Sequence, residues 1–257
     1  MSDLEKPGAA LETQGLCLSF GALAVASDID FRLERGARHA LIGPNGAGKT
    51  SFVNLATGVL SPSAGTIRVD GADITRLSQA ARVKRGLART FQINALFRRL
   101  DVLENVTLAI AERDGVAGGL WRAAGRHRRI IDEAYSLLET LGIEEDALRP
   151  VSALAYGRQR LVEIAVALAL SPKVLLLDEP AAGVPSGESG LIIGAIERLP
   201  ADIAVLIIEH DMDLVFRFAK TITVLVQGRI LVEGPPAQIA ADERVREVYL
   251  GDRVHRP

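Results

Sequence analysis

The amino-acid sequence predicts an α/β fold in which a parallel sheet is joined by helical crossovers. A glycine-rich stretch at residues 43–50 follows a short apolar run that indicates a buried strand. A second apolar run, at 174–177, ends in two carboxylates. From this point the pattern alternates, with a helix predicted at 191–199 and strands at 204–208 and 222–226. Such alternation is typical of a parallel sheet covered by helices.

Length and composition limit the classes of protein. The chain has 257 residues, of which 48% are hydrophobic, enough for the core of one large domain or two small ones. Lys and Arg number 30 against 32 Asp and Glu, so no overall basic field indicates a nucleic-acid partner. One cysteine excludes an intramolecular disulfide. We expect a cytoplasmic protein, because no secretory signal is evident and no apolar run reaches the ~20 residues of a membrane span.

The clearest motif is GPNGAGKT at residues 43–50. Its three glycines lack a Cβ, so the backbone can wrap around phosphates and turn its N–H groups inward. The helix predicted to follow, at 49–60, adds the positive end of its dipole. Lys49 would reach the β- and γ-phosphates, and the Thr50 hydroxyl would ligate Mg²⁺. The residues expected to bind nucleotide here are Gly43, Pro44, Asn45, Gly46, Ala47, Gly48, Lys49, Thr50 and Ser51.

The stretch KVLLLDEP at 173–180 predicts a central strand that ends in two carboxylates. Ligands bind at the carboxyl edge of open α/β sheets, so both side chains are expected beside the phosphates. Asp178 would hold Mg²⁺, and Glu179 would orient and polarise the attacking water. The alternative is an acidic turn after a strand, which the preceding phosphate loop disfavours.

Three further stretches identify the family when they are taken with these two. They are TFQ at 90–92, LAYGRQR at 154–160 before a predicted helix at 161–170, and LIIEHD at 206–211. The five ordered motifs resemble the nucleotide-binding domain of an ABC transporter over nearly the whole chain. The resemblance implies a P-loop NTPase sheet with helical crossovers, an N-terminal antiparallel β subdomain and an inserted helical subdomain.

The resemblance also implies a domain organisation. An ABC ATPase domain is expected at 9–250, preceded by an N-terminal tail (1–8), and the chain is expected to close with a C-terminal helix and tail (241–257). Within the domain, a β and P-loop core occupies about 9–92 and 160–240, and a helical subdomain occupies about 93–159. The largely helical pattern between about residues 93 and 154 agrees with the position of the helical subdomain.

Single positions acquire roles from the same resemblance. Gln92 matches a glutamine that senses Mg²⁺ and the γ-phosphate in the family, and His210 matches a histidine that contacts the γ-phosphate and positions the water. Phe20 lies where the family carries an aromatic residue that stacks on adenine. With ATP and Mg²⁺ as cofactors, the expected metal ligands are Thr50, Gln92 and Asp178, and the expected catalytic residues are Glu179, His210 and Lys49.

In the family, a signature loop of one subunit closes over the nucleotide of another, which implies a dimer. The matching residues, also expected to bind nucleotide, are Ala155, Tyr156, Gly157 and Arg158. Ala155 replaces the usual serine, and Pro185 takes the place of a usual aspartate. Both changes affect the surface that serves the opposite site. We therefore expect a different ATPase subunit as partner, with a homodimer that relies on backbone contacts as the alternative.

Shorter patterns indicate a subfamily. FGALAV at 20–25, LFRRLDVLENV at 96–106 and VREVYLGD at 245–252 resemble the ATP-binding subunits of branched-chain amino acid type importers. That group also carries urea, short amides and aromatic acids. Two alternatives stay open, namely the ATPase of a lipid or lipopolysaccharide exporter and a soluble ABC ATPase that is not linked to transport.

An importer implies further partners and a location. The resemblance implies transmembrane permease subunits, an indirect link to a substrate-binding protein, and no nucleic acid. The chain would lie peripherally on the cytoplasmic face of the inner membrane. Phe97, in the stretch INALFRRL at 93–100, is expected to contact the permease, although a solvated helix start would have a similar composition.

Overall fold

Strands and helices alternate along the chain as the α/β prediction requires. A computed structural model describes residues 8–21, 23–90, 96–116, 124–185 and 188–254, with the backbone alone at 124–127 and 250–254. The strands are β1 (Leu11–Phe20), β2 (Leu23–Leu33), β3 (Arg38–Ile42), β4 (Ala64–Val69), β5 (Ala72–Asp73), β6 (Leu87–Arg89), β7 (Val174–Asp178), β8 (Ala204–Ile208), β9 (Thr221–Val226) and β10 (Arg229–Gly234). The helices are α1 (Lys49–Thr57), α2 (Gln79–Lys84), α3 (Val102–Arg113), α4 (Ala124–Leu141), α5 (Tyr156–Ala169), α6 (Ser189–Glu197), α7 (Met212–Phe218), α8 (Pro236–Ala241) and α9 (Glu243–Val254).

The strands form one antiparallel and one mainly parallel sheet. The first has the order β2-β1-β4-β5, and its recorded pairs are antiparallel, which agrees with the expected N-terminal β subdomain. The second has the order β10-β9-β3-β8-β7-β6, with parallel pairs except at β10. Every residue of β7 and β8 is buried, because both faces of this sheet are covered. Among the described residues, no helix is long and apolar enough to cross a membrane.

The buried side chains of the parallel sheet serve two cores. Leu175 and Leu177 point into a core shared with α3, α4, α5 and α6. Val174 and Leu176 point to the other side, into a core shared with the antiparallel sheet and α1. This division follows the two-residue period of a strand. The helix α1, which follows the phosphate loop, is thereby fixed between the two sheets.

The helices α1 and α5 differ most from the sequence prediction, and α6 begins and ends two residues before the predicted 191–199. The helix α1 ends at Thr57 rather than at residue 60, because Gly58 adopts a left-handed conformation with φ of 81° and terminates it. The helix α5 begins at Tyr156 rather than at residue 161. Its first turn consists of tyrosine, glycine and arginine, which show no apolar period, so the pattern understated its length. The signature glycine therefore lies in the first turn of a helix.

A buried arginine is hydrogen-bonded to the C-terminal end of α1. The Arg82 guanidinium donates to the carbonyl oxygens of Leu55 (2.6 Å) and Ala56 (2.7 Å) in the last turn of α1. It also donates to the carbonyls of Thr75 and Leu77. A positive charge is favourable at the C-terminal end of a helix, where carbonyl groups lack intrahelical partners. Arg82 thus stabilises the helix that carries Lys49 and Thr50.

A buried histidine joins β3 to the β9–β10 hairpin. His39 Nε2 lies 2.7 Å from Thr223 Oγ1, and that hydroxyl donates to Glu233 Oε2 at 2.5 Å. Because the hydroxyl proton points to Glu233, His39 must donate from Nε2, which defines its neutral tautomer. The ring also meets Phe31 edge to face at 5.1 Å. Burial lowers the pKa of His39 from 6.5 to about 4, although Glu233 is 3.8 Å away.

This lowered pKa predicts a loss of stability in mild acid. The unfolded chain takes up a proton on His39 below about pH 6.5, whereas the folded chain takes it up only near pH 4, so the free energy of unfolding falls as the pH drops through this window. The shift corresponds to at most about 3 kcal/mol. In urea titrations across that window, His39→Gln should flatten the pH dependence, and an unchanged slope would contradict the assignment.

Candidate functional site

The phosphate loop is closely packed against strands from both sheets. A Cβ at Gly43 would overlap with the carbonyl oxygen of Leu225 at the end of β9. A Cβ at Gly48 would lie 2.7 Å from the carbonyl oxygen of Val25 in β2. Gly48 also has a φ of 103°, which other residues rarely adopt, and it immediately precedes α1. The fold of the loop therefore requires these two glycines, independently of the ligand that they are predicted to bind.

The turn between β9 and β10 is hydrogen-bonded to the phosphate loop. Gly228 donates its N–H to the carbonyl of Ala47 at 2.8 Å and accepts from the N–H of Ser27 at 2.8 Å. The phosphate loop, β2 and the β9–β10 turn are thus joined through a single residue. Sequence analysis missed Gly228, since its role depends on contacts between distant parts of the chain. The pair Gln227–Gly228 preceding a strand was the available turn signal.

Lys49 folds back over the loop. Its Nζ donates to the carbonyl oxygens of Gly43 at 2.6 Å and Pro44 at 3.0 Å. The helix begins here, with the N–H of Phe52 bonded to the carbonyl of Gly48 at 2.8 Å. The N–H groups of this first turn and the ammonium group form a positive cradle at the mouth of the loop.

Asp178 lies at the carboxyl end of β7 beside an arginine. Its Oδ2 accepts from Arg89 Nη2 at 2.6 Å, and the two side chains are 3% and 12% exposed. Arg89 Nη1 donates to Asn54 Oδ1 in α1 at 2.9 Å. The predicted metal ligand Asp178 therefore accepts a charge-assisted hydrogen bond from Arg89, and the same guanidinium also contacts α1. Sequence analysis did not single out Arg89.

Glu179 directly follows β7 in an unusual conformation. Its φ is 47°, in the left-handed region that non-glycine residues occupy at a cost, and its N–H bonds to the carbonyl of Ile208 at 2.9 Å. This turns the carboxylate out of the sheet toward His210, whose Nδ1 lies 3.7 Å from Glu179 Oε1. His210 remains two-thirds exposed. The structure thus brings together the predicted general base and the predicted phosphate-sensing histidine.

A second glutamate, Glu209, organises this corner. Its buried carboxylate accepts backbone N–H groups from His210 at 3.1 Å, Asp211 at 3.4 Å and Ala181 at 3.4 Å. Burial raises the pKa of Glu209, and these hydrogen bonds act in the opposite direction. Glu209 therefore links the turn after β7 to the loop after β8. Sequence analysis missed it, although an acidic residue at the end of a fully apolar strand was a usable signal.

The signature loop opens the helix α5. Ala155 is the N-cap of α5 and provides no side-chain hydrogen bond, so the first N–H groups lack a side-chain cap. Ala155 and Tyr156 are exposed. Gly157 is buried, and a Cβ there would lie 2.6 Å from Glu188 Oε2. The start of α5 thus presents backbone donors and a positive dipole end.

Arg158, a residue of the signature loop, forms an ion pair within its own chain. Its guanidinium forms an ion pair with Asp146, and Asp146 also accepts from Arg149 Nη1 at 2.7 Å. Asp146 is almost completely buried, so this carboxylate depends on the two arginines for compensation. Arg158 therefore anchors the signature loop to its own subunit.

The other predicted residues fall into three groups. Phe20 is the last residue of β1, and 55% of its surface is exposed. In the phosphate loop, the residues open to solvent are Asn45, Gly46 and Thr50, those half-buried are Pro44, Gly48, Lys49 and Ser51, and those buried are Gly43 and Ala47. Gln92 lies outside the described residues, so its predicted contacts with Mg²⁺ and the γ-phosphate stay a prediction.

The glycine loop with its lysine, at the carboxyl edge of a parallel sheet that ends in Asp178 and Glu179, defines a P-loop nucleoside triphosphatase. A family model described as ABC transporter matches residues 26–182. A second model, described as branched-chain amino acid ATP-binding cassette transporter, matches residues 229–255. The chain belongs to the ABC transporter family, as sequence analysis predicted. It is a nucleotide-binding, ATP-hydrolysing transporter subunit.

Curated relatives match over nearly the full length. The high-affinity branched-chain amino acid transport ATP-binding protein BraF of Pseudomonas aeruginosa is 36% identical over 249 residues, which cover 94% of this chain and 98% of BraF. The protein LivG of Escherichia coli K12, which has the same description, is 37% identical over 249 residues with the same coverage.

Solved structures confirm the predicted fold. The ADP conformation of the ATP-binding cassette MJ1267 superposes with a TM-score of 0.81 and 29% identity, covering 95% of this chain and 99% of that one. A nucleotide-free ATP-binding cassette from an ABC transporter gives a TM-score of 0.80 at 29% identity. The α/β prediction with P-loop sheet and helical crossovers is therefore confirmed.

The support of the phosphate loop by Gly228 can be tested against a matched glycine. Gly228 and Gly71 each follow a residue of positive φ in a two-residue turn, with φ values of 75° and 80°. A Cβ at Gly228 would lie 2.7 Å from the carbonyl oxygen of Val25, whereas one at Gly71 meets no atom within 4 Å. Gly71→Ala should cost only the left-handed strain of about 1–2 kcal/mol.

Gly228→Ala should lower stability further and weaken nucleotide binding. The added methyl group must displace β2 or the phosphate loop, so the Kd for trinitrophenyl-ATP should rise by roughly tenfold or more, equivalent to about 1.4 kcal/mol. Denaturant unfolding and fluorescence titration measure the two effects. Equal losses in both variants would show that the phosphate loop does not depend on this contact.

Proposed function

We propose that this chain is the ATPase subunit of an importer for branched-chain amino acids or related small polar substrates such as urea, amides and aromatic acids. The observation that carries the proposal is the similarity to BraF and LivG over 94% of the chain. The match of residues 229–255 to the branched-chain amino acid cassette model supports the same subfamily. No comparable observation favours lipid export.

In this proposal, the chain's own phosphate loop binds ATP with Mg²⁺. Phe20 stacks on the adenine, and Lys49 exchanges the loop carbonyls that it now contacts for phosphate oxygens. The donor set fits Mg²⁺, which prefers oxygen ligands and is commonly held by a hydroxyl, a carboxylate and substrate phosphates. In the part of the chain that the structure describes, no cluster of three or more His, Cys, Asp and Glu could hold a metal alone. The proposed protein ligands are Thr50, Asp178 and Gln92.

The residues that directly follow β7 and β8 would carry out hydrolysis. Glu179 is half-buried and turned outward, so it can accept a proton from an attacking water molecule. His210 lies beside it and is two-thirds exposed, so its imidazole would be accessible to the γ-phosphate. Glu209 fixes the backbone on both sides of this pair through its three N–H contacts. Bound Mg²⁺ would neutralise charge that develops on the phosphates.

A second ATPase subunit would complete each site. The uncapped N-terminus of α5, with Ala155, Tyr156, Gly157 and Arg158, would close over the nucleotide of the partner subunit. Because Ala155 has no hydroxyl and Arg158 is paired with Asp146, this contribution depends mainly on backbone donors. Pro185 also lacks the carboxylate expected on that surface. These losses support a heterodimer, in which this chain's own site hydrolyses ATP and its partner's site receives a weaker signature.

An exposed apolar surface is suited to a membrane permease. Phe97 and Leu148 are 61% and 77% exposed. Their segments are paired, since the N–H of Val151 bonds to the carbonyl of Leu100 at 3.1 Å. The buried Asn105 holds Phe97 by accepting its N–H at 2.9 Å. This rigid presentation of apolar side chains would bring the chain to the cytoplasmic face of the inner membrane, with the substrate-binding protein linked only through the permease.

The importer function and the role of Glu179 can be tested together. Cells that lack this chain should fail to take up labelled leucine and should recover when the wild-type chain is supplied. Glu179→Gln should not restore uptake, because hydrolysis by the complex falls by roughly 10²–10⁴ when a general base is removed. The purified variant complex should retain bound ATP, measured by filter binding.

A matched control is Glu197→Gln, which alters an exposed carboxylate of α6 that pairs with Arg217. It should restore uptake and hydrolysis fully. If leucine, urea, amide and aromatic-acid uptake are all independent of the chain while lipid export depends on it, the importer proposal is wrong. Undiminished hydrolysis in Glu179→Gln would refute the base assignment alone.

The weakened signature can be tested by restoring the hydroxyl. In a complex whose own site is silenced by Glu179→Gln, residual hydrolysis comes from the partner's phosphate loop. Ala155→Ser should raise this residual rate by about tenfold or more, since a hydrogen bond to a charged group contributes about 1.5–3 kcal/mol. Ala153→Ser, which adds a hydroxyl to an exposed position outside the signature, should have no effect. An unchanged rate in Ala155→Ser would show that backbone donors suffice.

A further inference from the structure

We propose that Arg89 is a positioning residue that orients the Asp178 carboxylate for the metal and ties it to the helix that carries Thr50. This inference rests on the proposed function, in which Asp178 and Thr50 hold Mg²⁺. The hydrogen bonds of Arg89 go to Asp178 and to Asn54, so its effect on the metal would be exerted through the Asp178 carboxylate and through the helix that carries Thr50.

The placement of Arg89 follows from strand order. β6 is the neighbour of β7 in the parallel sheet, and Arg89 pairs in register with Leu176. Arg89 is the last residue of β6, and Asp178 is the last residue of β7, so both side chains reach the same edge. The Nη2–Oδ2 distance of 2.6 Å is that of a strong charge-assisted hydrogen bond. One carboxylate oxygen is thereby fixed, and Asp178 would offer the second oxygen to Mg²⁺.

The same guanidinium spans the sheet and α1. Nη1 donates to Asn54 Oδ1 at 2.9 Å, and Asn54 lies one helical turn after Thr50 on the same face of α1. The planar fork of an arginine can hold both acceptors at a fixed separation. The distance between the carboxylate and the helix that presents the Thr50 hydroxyl is therefore set by one rigid group.

The contacts around Arg89 indicate more than a space-filling role. Among the described residues, its buried Nε has no hydrogen-bond partner, whereas both terminal nitrogens donate, one to Asp178 and one to Asn54. It also borders a cavity of about 250 Å³ together with Thr57, Val59 and Leu87. Met and Lys are shorter than Arg, so both fit at position 89 without overlap. Outer contacts that orient metal ligands typically change metal affinity by roughly 10–100-fold.

The test measures how much Mg²⁺ strengthens nucleotide binding by the purified full-length chain. Kd values for trinitrophenyl-ATP are determined in EDTA and in saturating Mg²⁺, and their ratio isolates the contribution of the metal. Arg89→Met should leave the Kd in EDTA nearly unchanged and should reduce the ratio by roughly tenfold or more. Arg89→Lys should restore part of the ratio, because an ammonium keeps the charge but cannot hold Asp178 and Asn54 together.

Asp178→Asn separates this inference from the function on which it rests. If Asp178→Asn leaves the ratio unchanged, Asp178 is not a metal ligand and the proposed site fails. If Asp178→Asn lowers the ratio but Arg89→Met does not, the positioning role alone is wrong. A parallel loss of binding in EDTA and in Mg²⁺ would show that Arg89 only maintains the fold. A higher ratio in Arg89→Met would show that the arginine competes with the metal instead of orienting its ligand.

Discussion

Close backbone packing around the phosphate loop is the constraint on which the rest of the structure depends. The carbonyl of Leu225 lies so close to Gly43, and that of Val25 so close to Gly48, that a Cβ at either glycine would overlap with it. Gly228 joins the same loop to β2 through its two backbone hydrogen bonds. Because the loop is clamped by both sheets, its N–H groups are oriented before any ligand arrives. Preorganised donors of this kind do not have to reorient when charge develops.

The carboxyl edge of the parallel sheet is arranged around that loop. Five neighbouring parallel strands end there, and the buried charges at their ends are compensated by groups of this chain. Arg89 pairs with Asp178, and backbone N–H groups surround Glu209. Full compensation matters, since an unpaired buried charge is strongly destabilising. The pair that remains open toward solvent, Glu179 and His210, is the one to which the proposal gives the reaction with water.

The phosphate loop, the paired carboxylates and the α/β class could be predicted because each depends on a local motif or on the apolar period of one segment. Arg89, Glu209 and Gly228 could not, since their roles arise where β6 meets β7, where two loops meet, and where a distant turn supports the loop. The beginning of α5 was placed too late because its first turn has no apolar residue. The family resemblance supplied the roles of Gln92 and Phe20, which periodicity alone does not indicate.

The bond between Ala47 and Gly228 also bears on how the protein is made. The nucleotide loop is synthesised well before the turn that supports it, because Gly228 follows Ala47 at a long distance along the chain. Strand β3 likewise cannot complete its pairing until β8 and β9, its neighbours on either side, have been synthesised. A nascent chain therefore carries the phosphate-binding motif long before it can form the site, because such non-local pairings form late. Truncated products should consequently be inert toward ATP, and a cell that makes incomplete chains would not spend nucleotide on them.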